Sequence, residues 1–225
     1  MSENFFGFID DGFAHFDEHE KAHIKVMRMI KGSKIRVMDG KGKLFEGTLI
    51  DKDRATIDGL IESTIPDRIK IHLILSPIRW ERLRFAVEKA SEFGVSTIVL
   101  TNFDRTTRKE NESKIRKVSL VVRDAIKQSG TLYVPVVEEM ENFKLPEGAT
   151  KLILDQRGES TLRNSVNDHE EFVLAFGPEG GFTDREREFF NSLGFKMVKI
   201  WSRTLRVETA VVSAISIVRF LKCEI

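Results

Sequence analysis

Hydrophobic and polar positions follow two different patterns along the chain. From Met1 to about Lys70, short strand-like pieces are separated by turn signals, of which Asp39-Gly40 and Asp58-Gly59 are the clearest. This pattern predicts a small β barrel or sandwich. After residue 70 the pattern changes, because apolar strand segments alternate with segments that carry an apolar residue at every third or fourth position.

The second pattern predicts alternating strands and helices. Strands are predicted at 71–75, 95–100, 133–137, 151–154, 171–176 and 195–200, and helices at 79–94, 111–130, 183–194 and 207–221. In the first helix Leu83, Val87 and Ala90 share one face and Gly94 is a stop signal. Strands that alternate with helices imply a parallel sheet covered by helices. We therefore predict two domains, a β domain at 1–70 and an α/β domain at 71–225.

Composition narrows the class of protein. The 225 residues are 41% hydrophobic and 32% charged, with a formal net charge of +1. No apolar run approaches the roughly 20 residues that cross a bilayer, and the N-terminus lacks the basic and apolar regions of a signal peptide. These features predict a cytoplasmic protein. The single cysteine, Cys223, excludes an internal disulfide, and no Cys/His cluster has zinc spacing, so no metal is expected.

The near-neutral net charge hides a basic segment. Between Lys21 and Lys43 there are eight Lys or Arg residues and one acidic residue, Asp39. A local excess of positive charge is typical of a surface that binds phosphates, although a solvated charged face is the simpler alternative.

The stretch "LAFGPEGGFTDRE" joins a buried strand to a helix through a turn rich in glycine. Thr183 and Glu186 form a capping box that begins the helix. Strand-to-helix turns lie at the carboxyl edge of a parallel sheet, where ligands bind, and glycine lets a ligand approach the main chain. The spacing fits neither a P-loop nor G-x-G-x-x-G, so the residues alone predict a ligand-binding loop without naming the ligand.

Two C-terminal motifs resemble a known family. "GPEGGFTDRE", followed some twenty residues later by "LRVETA", is similar to the paired signature of the SPOUT-class methyltransferases that methylate N3 of a uridine in 16S rRNA. "FAVEKASEFGVSTIV" resembles the family segment of the type "QKATELGVS". "AHIKVMRMIKGSKIRVMDGKG" is similar to the family's PUA-like RNA-binding domain. The resemblance covers nearly the whole chain.

The resemblance implies a fold class, a cofactor and partners. The expected fold is a small PUA-like β-barrel domain followed by a SPOUT domain, a parallel α/β domain whose chain forms a trefoil knot. The implied cofactor is S-adenosylmethionine, bound in the knot loops, and the implied partners are 16S rRNA, within the small ribosomal subunit, and a second copy of the chain. Two positions depart from the family pattern, Thr131 where an arginine is common and Val207 where "LRTETA" has threonine.

The resemblance also implies which residues form the cofactor site. They lie at three strand ends: Leu154, Asp155, Gly177, Pro178, Glu179, Gly180, Gly181, Ile200, Leu205, Arg206, Glu208 and Thr209. Leu154 and Leu205 have an alternative role as core residues.

Methylation at uridine N3 requires removal of the N3 proton and stabilisation of the resulting anion. Arg206 is a candidate catalytic residue because its guanidinium stays charged and presents paired donors to the uracil oxygens. The alternative is a surface ion pair with Glu208 or Glu179. Glu179 is a second catalytic candidate as the base, or else it holds the loop through hydrogen bonds.

Candidate RNA-binding residues are basic and lie in two segments. They are Lys21, Lys25, Arg28, Lys31, Lys34 and Arg36 in the basic segment, and Arg105 and Arg108 after a predicted strand. His23 is ambiguous, because it could contact RNA or pack in the core. The leading hypothesis is an enzyme that methylates N3 of a 16S rRNA uridine. The alternatives are methylation of another RNA position, such as a ribose 2′-hydroxyl, and a non-catalytic RNA-binding assembly factor.

Overall fold

The computed structural model describes residues 3–107, 112–166 and 168–222, and the chain separates into two compact units. The first unit contains Met1–Pro66 together with Ile126–Val134, and the second contains Asp67–Ala125 with Pro135–Ile225. Arg108 and Cys223, which figured in the sequence predictions, lie outside the described residues.

The first unit is built on a single six-stranded sheet. Its elements are β1 (Asn4–Phe6), β2 (Phe8–Asp10), β3 (Phe13–His15), α1 (Glu18–Val26), β4 (Lys34–Met38), β5 (Lys43–Leu49) and β6 (Arg54–Ser63). The strand order is β1-β4-β5-β6-β3-β2, with β1 parallel to β4 and every other pair antiparallel. Because all six strands join one sheet, the barrel-like alternative holds and the two-sheet sandwich is wrong.

In this unit one element was not predicted and one predicted turn is wrong. Helix α1 was not predicted, because its signals are end caps rather than an apolar stripe: the Asp17 side chain accepts from the Glu20 amide, and charged residues follow. Asp58-Gly59 lies inside β6 and is not a turn. The β5–β6 register shifts between Glu46 and Gly47, so a bulge absorbs these residues.

The core of the first unit has two parts. One lies between α1 and the sheet and includes Phe5, Ile24 and Ile35. The other joins Phe6, Met38 and Leu44 to Ile126 and Leu132. The 126–134 segment therefore completes the core of a unit whose remaining residues end at Pro66.

The second unit contains an all-parallel, seven-stranded sheet. Its elements are β7 (Lys70–Leu75), α2 (Trp80–Glu92), β8 (Thr97–Leu100), α3 (Glu112–Ser129, whose last residues belong to the first unit), β9 (Val136–Glu139), β10 (Thr150–Leu154), β11 (Ser160–Thr161), α4 (Leu162–Ser165), β12 (Glu171–Phe176), α5 (Asp184–Ser192), β13 (Lys196–Lys199) and α6 (Val207–Leu221). The strand order is β11-β13-β10-β12-β7-β8-β9.

The predicted fold class is confirmed in this sheet, since every strand pair is parallel. Helix α5 covers one face, where Phe190 packs with Ile153 and Val173, while α6 packs on α2 and β12. The predicted strand at 133–137 begins three residues late, at Val136, and the short β11 and α4 were not predicted. The trefoil knot stays a prediction.

Candidate active site

A cleft of about 540 Å³ opens at the carboxyl ends of three adjacent strands, β13, β10 and β12. Strand β10 ends at Leu154 and β12 at Phe176, and both residues line the cleft together with Ile200, which follows β13. These ends are neighbours because the three strands are paired in parallel. The three segments singled out in the sequence therefore meet in one cavity of the size that binds small ligands.

The glycine-rich loop, residues 177–181, forms one wall of this cleft. Gly181 has a φ of +69°, a left-handed conformation that favours glycine. A Cβ on Gly177 would lie 3.1 Å from the ring of Phe182. The predicted capping box follows, with the Thr183 hydroxyl on the Glu186 amide and the Glu186 carboxylate on the Thr183 amide. The turn and its packing thus account for two of the glycines without a ligand.

The turn after β8 supports the glycine-rich loop from outside. Arg105 donates from Nη1 to the carbonyl of Gly180 at 2.7 Å, and Asp104 accepts from the Thr183 hydroxyl at 2.8 Å. The Phe103 ring packs edge-on against Phe182 at 5.2 Å. Arg105, predicted as an RNA contact, therefore has a structural partner in the loop.

Asp155 at the end of β10 is held by an arginine of α5. Its Oδ2 accepts from Nη2 and Nε of Arg187 at 2.7 and 2.9 Å, and its side chain is only 7% exposed. Arg187 also contacts Asp184, whose pKa is lowered by the nearby charge of Arg157 and by the hydrogen bond from Arg187. Both Asp155 and Arg187 are thus committed to a local ion-pair network.

The third wall is the segment between β13 and α6. Ile200, Leu205 and Arg206 line the cleft, and Arg206 forms the N-cap of α6. The exposed guanidinium of Arg206 has no ion-pair or hydrogen-bond partner among residues 3–107, 112–166 and 168–222. In that part of the chain Arg206 forms neither of the predicted alternative ion pairs, with Glu179 or with Glu208. Glu208 and Thr209 do not line the cleft.

The carboxylates of Glu179 and Glu208 instead face Arg82, at the start of α2. Arg82 Nη1 donates to Glu179 Oε1 at 2.5 Å, and Nε lies 3.7 Å from Glu208 Oε1. The Glu208 side chain is 13% exposed, and its Oε2 is buried with no hydrogen-bond partner among the described residues. Glu179 therefore has its first oxygen held by an arginine from a distant helix rather than by loop amides.

Of the twelve residues predicted for the cofactor site, the cleft brings together ten, all but Glu208 and Thr209. It also contains eight residues that were not predicted: Arg82, Gln156, Phe176, Phe182, Arg187, Thr204, Val207 and Ala210. Seven of the eight lie inside or directly beside a recognised motif or a predicted residue, so a wider window around each motif finds them. Arg82 carries no local signal, because only the tertiary fold brings α2 to the cleft.

The predicted RNA-binding residues of the first unit fall into two groups. Hydrogen bonds to Asp53 and Glu18 raise the pKa of Lys21, and a hydrogen bond to Asp58 raises that of Lys34. These two cations are engaged. The other four predicted residues are exposed and have no ion-pair partner in the described part of the chain: Lys25, Arg28, Lys31 and Arg36. Lys25 and Lys31 border a groove of about 410 Å³, together with Lys21 and Lys52.

His23 packs its ring against Phe5, with centroids 5.1 Å apart. This arrangement matches the core alternative for His23. Among the described residues no group of three or more His, Cys, Asp or Glu side chains is placed to hold a metal ion. Within the same residues, none of the helices has the length and apolar character needed to span a bilayer.

Comparisons with known proteins agree in pointing to one family. The family described as "RNA methyltransferase domain" matches residues 66–219, and that described as "RNA methyltransferase PUA domain" matches residues 16–60. The chain is 30% identical over 213 residues to the ribosomal RNA small subunit methyltransferase E of Aquifex aeolicus, covering 89% of this chain and 91% of that protein.

Solved structures show the same likeness. A predicted RNA methyltransferase from Thermotoga maritima superposes with a TM-score of 0.82 at 30% identity, over 99% of this chain and 100% of that one. The ribosomal RNA small subunit methyltransferase E of Neisseria gonorrhoeae, bound to S-adenosylmethionine, gives a TM-score of 0.82 at 26% identity over 98% of each chain.

Proposed function

Since this chain belongs to the family of RNA methyltransferases with a PUA domain, we propose that it transfers the methyl group of S-adenosylmethionine to N3 of a uridine in 16S rRNA. The observation that carries the proposal is the cleft at the ends of β13, β10 and β12. The glycine-rich loop lines this cleft together with Arg206, whose guanidinium has no ion-pair partner among the described residues. The relatives named as small subunit rRNA methyltransferases support the substrate class. Such a substrate implies a cytoplasmic enzyme.

The cleft residues fit S-adenosylmethionine in size and chemistry. A volume of about 540 Å³ lies in the range of small-molecule sites. Leu154, Phe176 and Leu205 offer apolar contacts for an adenine ring, and the main chain of residues 177–181 offers hydrogen bonds. When bound, the cofactor supplies a methyl group on a positively charged sulfur. We assign the ten predicted residues that line the cleft to this role.

Arg206 is the proposed anion-stabilising residue. Loss of the N3 proton leaves negative charge on the uracil ring, and a guanidinium without an ion-pair partner in the described chain is available to meet it. Because this interaction grows as the charge develops, it lowers the barrier more than it strengthens binding of neutral uridine. Its place at the N-cap of α6 fixes its main chain.

Glu179 is the proposed proton acceptor. Arg82 holds one of its oxygens, and the second oxygen has no hydrogen-bond partner among the described residues. A carboxylate of this kind can accept the N3 proton directly or through one water.

The first unit is proposed to deliver RNA. The exposed cations Lys25, Arg28, Lys31 and Arg36 supply charge for phosphate contacts, which position RNA without reading its sequence. We also propose that the active form is a homodimer. The apolar helix α6 supports this, since Phe220 remains 66% exposed near its end. Light scattering should give about twice the chain mass of 25.8 kDa.

The function is tested by two measurements. Calorimetry with S-adenosylhomocysteine should give saturable binding. Small subunits from a strain that lacks this protein, incubated with the enzyme and cofactor, should gain one methyl group, mapped by mass spectrometry to N3 of a uridine. A methyl group on a ribose or on another RNA would replace the substrate assignment. Absence of cofactor binding in folded protein would instead favour an RNA-binding assembly factor.

A further inference from the structure

We propose that Arg82 is a positioning residue that keeps Arg206 available for substrate by neutralising Glu179 and Glu208. The inference rests on the proposed function of the cleft. It assigns Arg82 an electrostatic task, namely to occupy the two carboxylates that would otherwise pair with the proposed anion-stabilising arginine. Arg82 lies outside both family motifs, "GPEGGFTDRE" and "LRVETA".

The first step of the argument is the geometry of Arg82. Its guanidinium spans from the glycine-rich loop to the first turn of α6, with Nη1 on Glu179 Oε1 and Nε 3.7 Å from Glu208 Oε1. The Arg82 side chain is 30% exposed and itself lines the cleft. A planar guanidinium can serve two acceptors at once, which a lysine ammonium does less well across two directions.

The second step is the cost of leaving Glu208 without a cation. Its side chain is largely buried, and one oxygen already lacks a hydrogen-bond partner among the described residues. A buried carboxylate is stable when a positive group compensates its lost hydration. The position in the first turn of α6 gives some help through the helix dipole, but this contribution is small beside that of a full charge.

The third step asks which cation takes over when Arg82 is removed. Three arginines line the cleft: Arg82, Arg187 and Arg206. Arg187 is committed to Asp155 through two hydrogen bonds. Arg206 is the cleft arginine that has no partner within the described chain, and it lies two residues from Glu208. Loss of Arg82 therefore draws Arg206 into an ion pair and away from the uracil.

The experiment is a double-mutant cycle on methyl transfer at saturating RNA and cofactor. Arg82→Gln should lower kcat by about tenfold and change the RNA KM little, since coupled charged neighbours commonly interact on that scale. Arg82→Lys, which keeps a cation between the carboxylates, should recover much of the rate. Arg84→Gln removes the same charge from an exposed site on α2 and should match wild type.

The double variant decides the mechanism. If Arg82 acts through Arg206, then Arg82→Gln/Arg206→Ala should be no slower than Arg206→Ala alone. Rate losses that multiply would overturn the proposal, because Arg82 would then act independently. Thermal melting and calorimetry with S-adenosylhomocysteine accompany each variant, so that a loss of fold or of cofactor binding is not counted as a loss of positioning.

A second readout does not depend on methyl transfer. Phenylglyoxal modifies exposed, unpaired arginines, and peptide mass mapping reports the rate at Arg206. Arg82→Gln should slow modification of Arg206 several-fold, whereas Arg84→Gln should leave it unchanged. An unchanged modification rate at Arg206 in Arg82→Gln would contradict the inference, whether or not the wild-type protein methylates RNA. Absence of RNA methylation by the wild-type protein would contradict only the proposed function.

Discussion

At the scale of single residues, the glycine-rich loop combines three constraints in five positions. Gly181 requires its left-handed backbone, and Gly177 sits against Phe182. Gly180 is different, since its φ is not left-handed and a Cβ built on it would lie 3.3 Å from Cβ and Cδ of Arg105. Because Arg105 also holds the Gly180 carbonyl, a side chain at Gly180 pushes on this support and shifts the loop that lines the cleft.

We therefore predict that Gly180→Val lowers affinity for S-adenosylhomocysteine by at least tenfold while the melting temperature changes by only a few degrees. The branched side chain presses against Arg105, on the outside of the loop, and so displaces the main chain that lines the cleft. Calorimetry measures the affinity. Gly59→Val is the matched control, because a Cβ there meets no described atom within 4 Å and lies in the first unit. Full affinity in a folded Gly180→Val protein would remove this loop from the cofactor site.

Residue roles were predictable from sequence to the extent that they depend on local geometry. The capping box of Thr183 and Glu186 and the helix stop at Gly94, with a φ of +67°, follow from neighbouring residues alone. The partners of Glu179 and Glu208 do not, since Arg82 is 97 residues before Glu179. Ion pairs between distant segments depend on the fold, which no local pattern specifies.

At the scale of elements, the end of α1 and the turn into β4 concentrate exposed positive charge. Lys25, Arg28 and Lys31 are exposed, and Arg28 adopts a left-handed φ of +54°, which is uncommon for a residue with a Cβ. The flanking Lys21 and Lys34 are tied to aspartates. The central three cations, like Arg36 in β4, are therefore available to phosphates.

Reversing the charge of Lys25, Arg28 and Lys31 together should weaken RNA binding and leave cofactor binding unchanged. Each phosphate contact that the variant removes reduces counterion release, so the slope of log affinity against log salt should become shallower by roughly 0.7–0.9 per contact. Filter retention across a salt series measures this slope. The matched control reverses Lys70, Lys144 and Lys196, which are exposed and precede or begin strands at the edge opposite the cleft. A wild-type slope in the Lys25, Arg28 and Lys31 variant would show that this segment is a solvated charged surface that does not contact phosphates.

Elements were predicted best where apolar periodicity is strong. Strand β12 and helix α6 have the predicted bounds, 171–176 and 207–221. Helix α1 was missed because its nine residues are mostly polar, so the apolar period was too weak to register. The Asp58-Gly59 turn was wrong because a bulge can carry the same residues within a long strand.

At the scale of the whole molecule, the first compact unit is not contiguous in sequence. The segment 126–134 supplies Ile126 and Leu132 to its core and Lys127 to its ion pairs. Lys127 Nζ lies 3.2 Å from Glu20 Oε1, and the Glu20 side chain is 0% exposed. A domain boundary near residue 70, which the change of pattern suggested, omits these groups. No pattern in the sequence links two stretches so far apart.

We predict that a fragment of residues 1–70 does not fold stably. It exposes the second part of the core, and it buries the Glu20 carboxylate without the ammonium of Lys127. Circular dichroism should show no cooperative thermal transition. Joining residues 124–135 to the fragment through a flexible linker should restore one, and the same joined chain with Lys127→Ala should melt at a lower temperature. A cooperative transition in the bare fragment would show that the segment is dispensable.

The discontinuity of this unit also has a consequence in time. During synthesis the chain leaves the ribosome from its N-terminus, at roughly 5–20 residues per second. Lys127 follows Glu20 by 107 residues, so the carboxylate waits roughly 5–20 s for its partner. Through that interval Phe6, Met38 and Leu44 also lack Ile126 and Leu132. The first unit therefore begins to emerge first but completes its core only after Asp67–Ala125 of the second unit has been made.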